Sequence, residues 1–148
     1  MAVHRTFAVI ELLSFELRAT SHFFLTVNPT LMRNFKQLKI WQKGFEIAVN
    51  CFRLTTTFPK EEKYGLTSQI TRSGVSISSN IAEGSSRASE RDYKRFVEIS
   101  LGSSFELETR LLIAQAVDYG NTDLRHQLLK DIDEEQKMLI SFMSKLNN

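Results

Sequence analysis

A single cysteine, Cys51, stands in the 148-residue chain. It leaves no internal disulfide and no thiolate metal site, which suits a reducing cytoplasm. Only two prolines and six glycines interrupt the chain, which argues against a many-turned β-sandwich and for long helices. Of three histidines, His4 and His22 fall in the first 22 residues, leaving little material for metal or acid–base chemistry. A net charge of +2 is too small to mark a nucleic-acid binder. What remains is the composition of one soluble globular domain, 42% hydrophobic and 24% charged. It is long enough to bury a core without disulfide or metal staples.

Residues 1–31 do not read like the rest. Phe7 to Leu17 is apolar, but Glu11 and Glu16 interrupt it and no small-x-small cleavage site follows. The run is also too short and too charged to cross a bilayer. A regular pattern opens at Met32, so residues 1–31 are expected to be an N-terminal extension outside the core, with Met32 a natural start. Residues 32–148 are then the folded domain.

From Leu38 the apolar residues fall at helical spacing: Leu38, Trp41, Phe45, Ala48 and Phe52, with Val49 alongside. This first helix should end in Thr55-Thr56-Thr57, before Pro59. A second should start near Tyr64 or Gly65 and run to about Gly84 as a C-cap, with Leu66, Ile70, Ile77 and Ile81 as its stripe. Gly74 marks a place for close backbone approach, and the serine-rich composition makes this helix dependent on packing. Ser89 to Asp92 resembles a capping box for a third helix carrying Phe96, Ile99, Ser103, Leu107, Leu111 and Ala114, ended by Gly120. Asn121-Thr122-Asp123 supplies the cap of a fourth, with Leu124, Leu128, Ile132, Leu139, Phe142 and Leu146. Four amphipathic helices on short loops bury their stripes most economically as an all-α, antiparallel four-helix bundle.

Two features invite a functional reading. On helix two, Gln69, Arg72, Ser76, Asn80 and Glu83 are spaced by three, four, four and three, a polar stripe along one face. Glu106 on helix three lies an i, i+4 step from Arg110. Such a stripe is either a solvated face or a partly buried network in the core or at a subunit interface. Short amides and hydroxyls with single charges favour the network, with Arg72 pairing Glu83 or Glu106. Charge is the second feature: residues 32–60 hold six basic side chains against Glu46 alone. Arg33, Lys36, Lys39 and Lys43 gather at the start of helix one, as a solvated basic face or as a weak RNA or DNA contact.

Catalytic sets are thin. Cys51 has no obvious base, and a lone cysteine on an ordinary helix is more often packing. A di-iron bundle needs two Glu-x-x-His motifs, and the chain offers only Asp123 to His126. Gly102-Ser103-Ser104 lacks the lysine of a phosphate loop. The chain is therefore expected to be no enzyme and to need no metal or cofactor; a metal-binding or enzymatic bundle built on His126 is the outlying alternative.

The segment Arg72-Ser-Gly-Val-Ser-Ile-Ser-Ser-Asn80-Ile-Ala-Glu83-Gly84, followed by Arg87, resembles the signature of the 23S rRNA intervening-sequence protein family. Phe35 to Leu38 with Trp41, Phe58-Pro59 with Glu62 and Tyr64 to Leu66, and Gly102-Ser103 with Glu106 extend the resemblance over about residues 33–146. Gln37 and Ser100 depart from it, standing where aspartate and alanine are common. The resemblance implies a bacterial four-helix bundle that assembles as a ring-like homopentamer; the absent catalytic sets, the polar stripe and the local basic excess add the expectation of a non-enzymatic, cytoplasmic scaffold or adaptor. A related branch, the accessory variability determinant of diversity-generating retroelements, binds a reverse transcriptase and nucleic acid. That implies a second expectation for partners.

Overall fold

Each of the four apolar stripes becomes a helix. The computed structural model describes residues 33–146; the expectations for an extension over residues 1–31 and a start at Met32 lie outside them. After a 3-10 turn at Phe35–Gln37, the helices are α1 (Lys39–Thr55), α2 (Leu66–Ser85), α3 (Glu90–Ala116) and α4 (Thr122–Met143). A second 3-10 segment, Lys60–Tyr64, links α1 to α2. Each helix packs on its neighbour in sequence, and α4 closes the ring of four against α1. That is the four-helix bundle the stripes call for. The described residues contain no strand.

The boundaries follow local chemistry. At the end of α1 the Thr55, Thr56 and Thr57 hydroxyls donate to the carbonyls of Cys51, Arg53 and Leu54, and Pro59 follows. The Glu62 carboxylate accepts from Leu66 N–H at 3.0 Å and opens α2. Ser89 accepts from Asp92 N–H at 3.1 Å and its own hydroxyl donates to the Asp92 carboxylate at 2.7 Å, so the reciprocal half of this cap reaches the hydroxyl and not the Ser89 N–H. Asn121 accepts from Leu124 N–H at 2.9 Å to start α4.

Three local expectations are corrected. Gly84 lies inside α2, not at its C-cap; a Cβ there would sit 2.7 Å from the Phe96 Cβ and from the Tyr93 ring, so its bareness admits α3. Next, α3 stops at Ala116, short of Gly120. The turn passes through positive φ at Asp118 (56°) and Gly120 (81°), and the buried Arg125 donates to the Tyr119 carbonyl at 2.6 Å. Finally, α1 turns a different face inward. Ile40, Ile47, Cys51 and Leu54 are buried with Ala48, while Phe45 and Phe52 are 51% and 54% exposed. Both faces of α1 are apolar, and the aliphatic one fits the close α1–α2 contact, where Gly74 meets the Cys51 side chain.

The core joins Ile40, Ile47 and Leu54 of α1 to Ile70, Ile77 and Ile81 of α2, Tyr93, Val97, Leu107 and Leu111 of α3, and Leu128, Ile132 and Leu139 of α4. The Glu135 carboxyl shares it, and Arg125 and Asp131 are buried as well. Glu135 is wholly buried.

Candidate functional site

The polar stripe of α2 borders a groove of about 660 Å³ against α3, lined by Tyr64, Gln69, Arg72, Ser76, Ser103, Glu106 and Arg110 among others. In its lining the hydroxyls of Ser76 and Ser103 lie 2.9 Å apart, and Asn80 Nδ2 donates to Ser76 Oγ at 3.0 Å. Ser103 spends its proton on the Ile99 carbonyl at 3.0 Å. The order of donation is therefore Asn80 to Ser76, Ser76 to Ser103, Ser103 to backbone. One turn away, Ser100 donates to the Ile77 carbonyl at 2.9 Å. These two bridges join α2 to α3 and satisfy hydroxyls that would otherwise weaken a serine-rich helix.

The charged members of the stripe behave differently. Glu83 pairs with Arg87 just past the end of α2, and Glu106 with Arg110 at 3.1 Å one turn along α3. Arg110 also donates to the Gln69 carbonyl at 3.1 Å, while Gln69 and Arg72 themselves are exposed. The expected pair of Arg72 with Glu83 or Glu106 is not formed: both carboxylates have an arginine at i, i+4, which needs no long reach across the groove. Among the described residues Arg72 has no ion pair.

The four cations at the start of α1 are likewise divided. Lys43 turns inward to Asp131 at 2.6 Å and Glu134 at 2.8 Å on α4. Burial works to lower its pKa, but those hydrogen bonds outweigh it and hold the ammonium above the ordinary lysine value. Arg33 lies 4.7 Å over the Tyr93 ring and 3.6 Å from the Glu90 carboxylate. Only Lys36 and Lys39 are exposed and outside any ion pair among the described residues.

Beside the Lys43 bridge lies Glu135, which the sequence reading passed over. Neither oxygen has a hydrogen-bond partner, and a Cβ on Gly44 would lie 3.5 Å from Oε1. Burial pushes its pKa up to about 8; nearby Lys43 opposes the shift and Glu134 adds to it. Its position held the signal: residue 135 falls three after Ile132 and four before Leu139, on the buried face of α4.

Cys51 is buried in the core, and burial pushes its thiol up to about 12. It is a packing residue, not an activated nucleophile. His126 is exposed on α4. Among the described residues no three His, Cys, Asp or Glu side chains are placed together to hold a metal ion. No described helix is long and apolar enough to cross a membrane.

The most distinctive surface is aromatic. Phe35 meets Trp41 edge-on at 5.2 Å, and Trp41 stacks on Phe45 at 5.3 Å. With Phe52 and with Val75 and Ala82 of α2 they line an open apolar groove of about 400 Å³. On α3, Ile99, Phe105, Leu112 and Ile113 are also exposed.

A model of the 23S rRNA-intervening sequence protein family matches residues 36–141. Among solved structures, the chain is similar to a protein of unknown function from the S23 ribosomal protein family of Bacteroides thetaiotaomicron VPI-5482. The TM-score is 0.66 and the identity 29%, over 72% of this chain and 96% of that one. No curated protein matches.

Proposed function

Because the chain belongs to the 23S rRNA-intervening sequence protein family, we propose that it works as a self-associating helical scaffold whose subunits meet through the aromatic strip of α1 and α2. The observation that carries this reading is the exposure of Phe45 and Phe52 beside Trp41 and Val75. Contiguous apolar surface of this kind marks an interaction site in a soluble protein. The exposed Phe105 and Leu112 of α3, seven residues apart on one face, supply a different surface for the strip to meet. Contact between unlike patches is heterologous, and heterologous contacts make a ring where the rotation between subunits closes. The homopentamer implied by the family resemblance is one such ring. Sedimentation of the wild type against Phe45→Ser/Phe52→Ser tests it. The wild type should sediment as an oligomer and the double variant as a folded monomer; equal masses for the two would end this reading.

Weak binding of RNA or DNA is the second reading, carried by Lys36 and Lys39, which a ring would present once per subunit. Labelled RNA and DNA titrated across a salt series test it. Affinity that falls linearly on a log–log plot would support phosphate contacts, and no binding at low salt would dismiss them. The accessory role beside a reverse transcriptase needs the same nucleic-acid contact, so no binding would also count against it.

A further inference from the structure

On the opposite edge of α1 a second groove opens against α4. Its walls are Leu38, the residue that caps α1, and Ile40 of α1, with Met138 and Phe142 from α4 and Ser141 between them, and its volume is about 460 Å³. The lining is mostly hydrocarbon, and the groove is open to solvent along its length. Four charged residues border it, and two of them are already engaged. Glu134 is held by Lys43 at 2.8 Å and Lys137 by Asp133 at 2.6 Å. Lys39 on the α1 wall and Lys145 beyond the end of α4 line the same groove and are exposed. Neither has an ion pair among the described residues. The surface left for a partner is an apolar trough with two unbalanced positive charges, one from each wall.

We propose that this groove docks an amphipathic helix of another protein, one that carries acidic residues beside its apolar stripe. A small molecule in so open a trough would stay largely exposed, whereas ligand pockets bury most of their ligand. A helix laid along the trough sets side chains at i, i+3, i+4 and i+7 against Leu38, Met138 and Phe142. Met138 adds an unbranched, adaptable side chain suited to such a surface. A nucleic-acid backbone would use the lysines and leave the hydrocarbon floor without a counterpart. Charge complementarity from Lys39 and Lys145 selects acidic flanks and rejects basic ones. This inference does not depend on self-association, because the aromatic strip lies on the other edge of α1.

The test is fluorescence anisotropy with the full chain and two labelled helical peptides. Both carry leucines at helical spacing; one has glutamates on its flanks and its twin has lysines. The acidic peptide should bind about tenfold more tightly than the basic one. Lys39→Glu/Lys145→Glu should reverse that order, and Ser141→Trp, which fills the trough from an exposed position, should weaken both. All three positions are at the surface, so the thermal melts of the variants should match the wild type. Failure of both peptides to bind, or an order that survives the charge reversal, would overturn the proposal. So would labelled RNA that displaces the acidic peptide, or a change in sedimentation mass caused by the charge reversal, which would assign the groove to nucleic acid or to a second copy of the chain.

Discussion

Glu135 on α4 faces Gly44 on α1 across the bundle core, and neither carboxyl oxygen receives a hydrogen bond. An ionised carboxylate there would be a buried, unpartnered charge, so the group holds its proton to about pH 8. The other charged groups near it, Lys43 and Glu134, act in opposite directions.

The native pKa of Glu135 is raised above its ordinary value of 4.5, so its contribution to stability is complete below that value. It is lost as pH rises toward 8. Relative to Glu135→Gln, which cannot ionise, the wild type should lose about 1.4 kcal/mol for each pH unit across that window. Urea unfolding of both proteins at pH 4.5, 6 and 8 measures the difference. Parallel stability curves would mean that Glu135 is not held protonated.

Lys43 ties α1 to α4 through two carboxylates, those of Asp131 and Glu134. Lys43→Ala leaves Asp131, which is nearly buried, with only the Gln127 amide at 3.2 Å. Removing one partner of a fully buried pair costs about 3–5 kcal/mol. The Lys43 side chain is 19% exposed, so solvent screening reduces the expected loss to about 2–3 kcal/mol. A shift in the urea midpoint with an unchanged m-value would report it; a loss under about 0.5 kcal/mol, the size of an ordinary surface change, would show the bridge to be incidental.

Gly84→Ala should destabilise the bundle even though alanine is the better helix former. The new methyl meets the Phe96 Cβ and the Tyr93 ring, neither of which is a free side-chain end. The strain, about 1–3 kcal/mol, exceeds the propensity gain of about 1 kcal/mol. Thermal melts of the two proteins decide it, and a higher midpoint for the variant would mean that the rings have room to move.

Arg72→Ala should leave the fold of the subunit unchanged within about 0.5 kcal/mol, because the guanidinium is exposed. The informative readout is mass. Normal melting of the monomer with weakened association would place Arg72 at a subunit contact, whereas a loss of about 3 kcal/mol in monomer stability would contradict its exposed position.

The helices and most of their ends were legible in the sequence because they rest on neighbours a few residues apart. Pro59, the cap at Ser89 and the cap at Asn121 act within one turn, and the stripes of α2 and α4 recur every three or four residues. Gly84 misled because a glycine near a helix end has two uses, and only the rings of Tyr93 and Phe96, brought by the next helix, distinguish them. The polar stripe was visible as a pattern, yet its partners were not: Ser76 was matched to Ser103 by the packing of α3 on α2.

Sequence alone determined that this chain makes four amphipathic helices, because periodicity and capping are local properties of the backbone and its nearest side chains. Tertiary structure decided which of two apolar faces of α1 went inside, since burial depends on the shape of α2 and α4 opposite and not on hydrophobicity alone. The same distinction governs the charges. Lys43 and Lys39 are alike in sequence, one turn apart on α1, but the carboxylates of Asp131 and Glu134 lie across from only one of them. That geometry commits Lys43 to the fold and leaves Lys39 at the surface.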